Sequence, residues 1–260
     1  MAALSPVITC TGSMPRLRAS MSAAAIEAAV LAAVRDAASR AVGTITSIGV
    51  ASFAESAVLL DEGDEPLAPV VAWHDPRGEL EAAGLAQRVP HFAQLTGLPV
   101  SALCTAVKVR TLADDGLDVG RVRTVLSVAD WVVFRLTGTR GFDLSLASRT
   151  GLLDVTGRDW ASELVTWAGL NATSLPPLLD PGTIRGTVVT GPLAGAMAFV
   201  AGMDHQVAAL GAGATAPGST WNSCGTAEAI LTATDSLPPE QITGIVASGL
   251  TVGWHAVPGR

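Results

Sequence analysis

Residues 199–213 read Phe-Val-Ala-Gly-Met-Asp-His-Gln-Val-Ala-Ala-Leu-Gly-Ala-Gly, and the fold turns on how they are read. The apolar run Ala198 to Ala201 predicts a buried strand, and Gly202 is expected to break it. Val207, Leu210 and Ala214 then recur at helical spacing. Asp204 is therefore expected where a strand hands over to a helix, facing unpaired helix N–H groups and the positive end of the dipole. Open α/β folds bind ligands at that end of the sheet, so a fixed base fits there. A plain helix N-cap fits as well, and caps are far commoner than catalytic bases. On this stretch alone the cap reading stands first.

Outward from this stretch, helix and strand patterns succeed one another. Ser22 is an N-cap candidate for a helix to about Ser39, with Ile26, Val30 and Val34 on its buried face and Gly43 as its stop. Ile45 to Ala51 reads as a strand. Ala57 to Leu60, the polar turn from Asp61 to Pro66, and Leu67 to Trp73 read as strand, turn, strand. Helices are expected over Glu79 to about Val89 and over Thr105 to Ala113. Val125 to Leu136 reads as a strand start running into a buried helix that Gly138 stops. Asp143 to Asp154 reads as an irregular loop with a short strand. A helix starting at Asp159 or Ser162 ends at Gly169. The succession points to an α/β or α+β fold. Thr215-Ala216-Pro217-Gly218-Ser219 is the best domain boundary. Beyond it a hairpin around Cys224-Gly225-Thr226 and a strand-like run from Ile245 to Val257 are expected. Two or three strands make no stable domain alone, so residues 217–260 are expected to begin a larger unit.

Composition narrows the function. The chain has 260 residues, ample for a real core, and a formal net charge of −7 without a basic cluster, which argues against nucleic acid. Mean hydropathy is +0.43, yet no run approaches the roughly 18 apolar residues that span a bilayer. The Ala-rich stretch from Met21 to Ala41 carries Glu27, Arg35, Asp36 and Arg40. Arg16 and Arg18 precede no clean secretory h-region. Cys10, Cys104 and Cys224 are widely spaced and read as reduced core residues of a cytoplasmic protein. The single lysine, Lys108, reads as a matter of composition.

Several residues could carry chemistry. Trp73, His74, Asp75 and Arg77 place an aromatic face and hydrogen-bonding groups in one loop, a set suited to a polyhydroxylated ligand. A solvated loop with an internal Asp75–Arg77 pair is the ordinary alternative. Glu55 is the one charge in a small apolar run just past a strand, and needs a partner, a ligand or solvent. Gly225-Thr226 in a strand–turn–strand context could cradle a phosphate, though a lone Gly-Thr is common in hairpins. Gly211 and Gly213 follow a helix and fail the dinucleotide-binding context. His74 and His205 with Asp75 and Asp204 match no standard metal-ligand spacing.

In their order and spacing these pieces resemble the FGGY family of carbohydrate kinases, which includes xylulose, gluconate and glycerol kinases. The resemblance is carried by ITSIGVASFAESAVLLDEGDEPLAPVVAWHDPRG (Ile45 to Gly78), TGLPVSALCTAVKVRTL (Thr96 to Leu112) and DWVVFRLTGTRGFDLSLASRTGLLD (Asp130 to Asp154). LPPLLDPGTIRGTV (Leu175 to Val188), VAGMDHQVAALGAG (Val200 to Gly213) and SCGTAEAIL (Ser223 to Leu231) complete it. It implies an actin-like ATPase (ribonuclease H-like) α/β fold. Residues 1–20 would be a poorly patterned segment, 21–216 the sugar-binding N-terminal domain without its first hairpin, and 217–260 the start of the ATP-side domain. It also implies ATP and Mg²⁺, a sugar or polyol acceptor with pentuloses favoured, and no nucleic-acid or membrane partner; a homodimer is left open. Asp204 matches the general base and, through Mg-ATP, a weak metal contact. Glu55, Trp73, Asp75, Arg77, His205 and Gln206 match positions around the sugar, and Gly225 and Thr226 match the turn that holds nucleotide phosphate.

The sequence also departs from the family. Nothing in residues 1–20 matches the family's Asp-x-Gly-Thr turn; Thr11-Gly12-Ser13 is a faint echo. Leu103 stands where some relatives have a sugar-contacting aromatic, and Ala54 where some have Arg or His. The resemblance therefore implies a sugar or polyol kinase in a truncated or inactive form, or a non-catalytic sugar-binding remnant. A hydrolase using Asp204 and His205 is a third, weaker reading. Exposed sheet edge and apolar surface are expected.

Overall fold

The computed structural model describes residues 2–4, 18–224, 228–234 and 237–257. Its centre is a parallel strand pair. β1 (Ser47–Ser52) and β5 (Met197–Met203) pair in register from Ser47 with Met197 to Ser52 with Met203. β4 (Ile184–Thr187) lies antiparallel on the far side of β5. A separate antiparallel pair joins β2 (Ala57–Leu60) to β3 (Thr124–Ser127). Four helices frame these strands: α1 (Ala23–Arg40), α2 (Glu79–Arg88), α3 (Thr105–Asp114) and α4 (Val128–Thr137). Beyond β5 come α5 (Asp204–Gly211), β6 (Thr220–Cys224), β7 (Glu228–Ala233), α6 (Pro239–Ala247) and β8 (Val252–Trp254). In the second sheet Ala2–Leu4 lies between β7 and β8.

α4 forms the centre of the core. Ser127 caps it by accepting from Asp130 N–H, and Gly138 ends it with φ +76°. Trp131, Val133 and Phe134 are buried on it, against Leu60, Leu126 and Val200 among others. Each such side chain contributes of order 1.5–3 kcal/mol by leaving water. α1 is amphipathic, as its pattern predicts: Ile26, Val30 and Val34 pack half-buried on the core while the opposite face is exposed.

The structure corrects several expectations. Gly202 does not end its strand. It sits inside β5 at φ +124°, at a register shift between Val200 and Gly202. A Cβ there would lie 2.9 Å from Ala256 Cβ and 3.0 Å from Ser145 Oγ, so close approach requires glycine. Met203 takes the N-cap position and Asp204 is the first helical residue, so Asp204 is not the cap. Asp143 to Asp154 carries the expected short strand, at Leu153–Asp154, but the part before it is not simply an irregular loop. Asp143 caps a buried one-turn helix, Leu144–Ala147, by accepting from Ser145 and Leu146 N–H. Leu67 to Trp73 forms a strand only at Val70–Val71, paired with Ser20–Met21. The run from Ile245 is helical to Ala247 and then β8, because Pro239 starts a helix at its first turn. Cys224 is exposed, and Cys104 is buried.

Among the described residues, β1 pairs with β5 alone, which leaves its other edge free. Ile184, Val189 and Met197 are exposed along β4 and the start of β5.

A buried polar cluster links α4 to the end of β5. Asp130 accepts from Ser127 Oγ at 2.6 Å, Arg185 Nη2 at 3.1 Å and Asp143 N–H. Asp143 accepts from Ser145 Oγ, and Ser145 Oγ in turn accepts from Met203 N–H at 3.0 Å. Burial pushes the Asp130 carboxyl up to about 6. Burial, then the neighbouring Asp130 charge, push Asp143 up to about 7. A carboxyl whose folded value lies above its unfolded 3.8 binds the extra proton only when folded. Its stabilising contribution is whole below about pH 4 and lost as pH rises through about 6 to 7. The thermal midpoint is therefore expected to fall between about pH 4 and pH 7. Asp143→Asn, neutral at every pH and the same shape, should flatten that fall and raise the midpoint at the alkaline end. Scanning calorimetry across pH checks this; identical profiles for the two chains would count against it.

Candidate functional site

β1 and β5 run parallel, so their carboxyl ends open at one end of the sheet. Two carboxylates leave the chain there. Glu55 follows β1 by three residues and Asp204 follows β5 directly. Asp204 is half-buried; its Oδ1 accepts from His205 N–H at 2.7 Å, and Oδ2 has no protein partner among the described residues. As the first residue of an eight-residue helix it sits at the positive end of the dipole.

Glu55 has φ +62°, a region that costs a non-glycine residue about 1 kcal/mol or more. Its Oε1 accepts from Arg149 Nε at 2.8 Å, and Arg149 Nη1 donates to Thr251 Oγ1 at 3.0 Å. Both side chains are mostly buried. They line a pocket of about 250 Å³ with Leu103, Cys104, Gly249 and Thr251. Residues after β7 thus help to wall the Glu55 pocket. Burial pushes the Cys104 thiol up to about 11, against the pull of Arg149 and Lys108.

Lys108 corrects its dismissal as composition. It is 4 % exposed on α3, and its ammonium donates to the carbonyls of Glu55, Trp73 and Leu103. Burial pushes its pKa down to about 8, with Glu55 the chief opposing charge. Trp73 is half-buried and meets the His74 ring edge-on at 5.1 Å. Glu55, Trp73 and Leu103 are therefore joined through one side chain.

The other expected site residues sit differently. Asp75 is fully buried and accepts from Ala19 N–H at 2.6 Å, from Arg77 N–H and from Arg77 Nε at 2.9 Å. Burial alone would raise its pKa, but the Arg77 bonds and the Ala19 N–H hold it below the usual carboxylate value. The internal Asp75–Arg77 pair is present, and Arg77 also lies 3.8 Å from Asp115 beside an open depression that includes Arg18. His205 Nδ1 lies 2.9 Å from Ser223 Oγ, and buried Gln206 donates to the Trp254 carbonyl at 3.1 Å. Both therefore face the second sheet. Gly225 and Thr226 lie outside the described residues.

Arg149 and Lys108 are the residues that sequence reasoning missed. Each is a lone cation among small or apolar neighbours, Ala-Ser-Arg-Thr and Ala-Val-Lys-Val. That is the one signal available, since buried charges demand partners. No described helix is long and apolar enough to cross a membrane. The described residues contain no group of three or more His, Cys, Asp or Glu side chains able to hold a metal ion. Asp204 is a lone carboxylate, not a closed ligand set for Mg²⁺.

Residues 11–216 match the model of the FGGY family of carbohydrate kinases, N-terminal domain. A glycerol kinase of Nocardia farcinica (strain IFM 10152) is 29% identical over 207 residues, covering 75% of this chain and 40% of that protein. The structure resembles xylulose kinase from Rhodospirillum rubrum with a TM-score of 0.81 at 26% identity, over 96% of this chain and 53% of that one. A xyloylose kinase from Brucella ovis gives a TM-score of 0.77 at 30% identity, over 89% and 50%. The chain spans about two fifths of the length of the curated relatives it matches.

The Glu55–Arg149 pair is expected to couple. In a urea-unfolding double-mutant cycle with Glu55→Gln and Arg149→Met, the interaction energy should be about 1–3 kcal/mol, below a fully buried pair because both groups keep some solvent. Additive single effects would show that the contact contributes nothing.

Proposed function

Because the chain belongs to the FGGY family of carbohydrate kinases and shares their actin-like ATPase fold, we propose that it forms the sugar- or polyol-binding side of an ATP-dependent kinase, with Asp204 as general base. The observation that carries this reading is the placement of Asp204. It starts a helix at the carboxyl end of a parallel pair, with one carboxylate oxygen held by a backbone N–H and the other without a protein partner among the described residues. In the transfer, Asp204 accepts the proton of the substrate hydroxyl while that oxygen bonds to the terminal phosphorus of ATP and the bond to ADP breaks. Glu55 orients hydroxyls with the oxygen that Arg149 leaves free, and Trp73 offers its half-buried face to the carbon skeleton. Asp75 supports the loop by fixing Arg77, whose Nη1 lies beside Asp115. His205 and Gln206 act from the α5 side.

Residues 21–216 would be the sugar-binding domain and 217–260 would belong to the ATP side, with Gly225 and Thr226 at the nucleotide phosphates. Mg²⁺ would arrive with ATP; the described carboxylates build no site for it. A pentulose is the favoured substrate, because two of the structural relatives are named for xylulose-type sugars; glycerol and gluconate are the alternatives.

Calorimetric titration with xylulose, ribulose, gluconate and glycerol, beside coupled ADP release, tests the proposal. A pentulose should bind most tightly. Asp204→Asn should leave binding within about threefold while lowering turnover by about a hundredfold or more. Binding without ADP release in the unsubstituted chain fits both a truncated kinase and a non-catalytic sugar-binding remnant. A chain that binds no member of the panel overturns the reading.

A further inference from the structure

Three loops meet at one buried ammonium. Lys108 Nζ lies 2.6 Å from the Leu103 carbonyl, 2.9 Å from that of Glu55 and 3.2 Å from that of Trp73. An ammonium has three donors and no acceptor, so the set is complete. The acceptors belong to the loop after β1, the loop after Val70–Val71, and the loop that opens α3. Among the described residues no carboxylate pairs directly with Nζ. Its charge is offset by these three carbonyl dipoles and, at longer range, by Glu55 and Asp75, with Cys104 alongside.

We propose that Lys108 is a positioning residue for the sugar site: its ammonium fixes the backbones of Glu55, Trp73 and Leu103 relative to one another, and so sets the Glu55 carboxylate and the Trp73 ring. The assignment rests on the reading that Glu55 and Trp73 line the substrate pocket.

Three physical points support it. A position needing only volume would be filled by Leu or Met without desolvating a charge. A planar guanidinium cannot aim three donors at carbonyls converging on one point, whereas a tetrahedral ammonium can. Glu55 also holds a left-handed backbone, which persists only where its surroundings enforce it. Lys108 grips its carbonyl and Arg149 its carboxylate, so the residue is held at both ends. Below the depressed pKa all three N–H groups are present. Loss of one proton would turn a lone pair toward a carbonyl.

The test uses the full chain. Lys108 is its sole lysine, so ¹⁵N-lysine labelling gives one side-chain signal. At neutral pH and low temperature the ammonium protons should exchange slowly enough to give a ¹H–¹⁵Nζ cross-peak. A signal lost to fast exchange, as for a solvated lysine, overturns the clamp. In a second arm, Lys108→Met and the milder Lys108→Gln are compared with Leu193→Ala, a core truncation in the turn between β4 and β5. All carry Cys10→Ser and Cys224→Ser, so that Cys104, next to Leu103, reports on the loop through its thiol labelling rate. Lys108→Met should speed labelling and weaken binding of the best pentulose each by about tenfold, or about 1.4 kcal/mol. Leu193→Ala should change either by less than about threefold at comparable loss of thermal stability. Equal effects in the two variants overturn the proposal. A parent chain that binds no sugar defeats the substrate reading instead, and the cross-peak and the labelling rates still decide whether Lys108 holds the loops.

Discussion

The parallel pairing of Ser47–Ser52 with Met197–Met203 is the constraint on which the site depends. It joins segments about 150 residues apart in sequence, so a long loop of chain is closed by this pairing, and its carboxyl ends share one side of the sheet. Neither carboxylate carries information alone: Asp204 could be an ordinary first-turn acid and Glu55 an ordinary strand-end charge. Register sets them after the carboxyl ends of two paired parallel strands. The bulge at Gly202 refines this, since it turns the last residues of β5 toward Ser145 and Ala256 just before Asp204.

Polar groups inside the molecule do the fastening. Arg149 spans from Glu55 to Thr251, and Ser145 ties the cap of its own one-turn helix to Met203 N–H. These bonds cross between segments distant in sequence, where apolar contacts alone would tolerate sliding. Their cost is desolvation, visible in the carboxyls of Asp130 and Asp143, which burial shifts toward neutrality, the Asp130 charge adding to the shift of Asp143.

Much of this was legible in the residue order. The strand-to-helix handover at Asp204, the α1 stripe, the α3 and α4 helices and the hairpin of β6 and β7 follow from periodicity and punctuation, which are local. The failures have physical causes. Gly202 looked like a strand breaker because its use, room for Ala256, lies 54 residues away. The end of α6 looked like a strand because Ile245 and Val246 are β-branched, although the pair of prolines before the helix suits a helix start. The helix capped by Asp143 is too short to show a period. Lys108 on an amphipathic helix resembles any solvated lysine, and only the meeting of three loops reveals its burial. Asp75 and Arg77 were legible as a pair, but not the N–H of Ala19 that shares the carboxylate.

The burial of Lys108 also changes what the folded surface can react with. Every other basic side chain apart from histidine is an arginine, charged at all accessible pH values and inert to acylating reagents. The folded molecule therefore offers solvent no side-chain amine. Acetylation, isopeptide attachment and amine-directed cross-linking would find only the α-amino group until α3 opens. Side-chain amine chemistry on this chain thus counts opened molecules against a silent folded background.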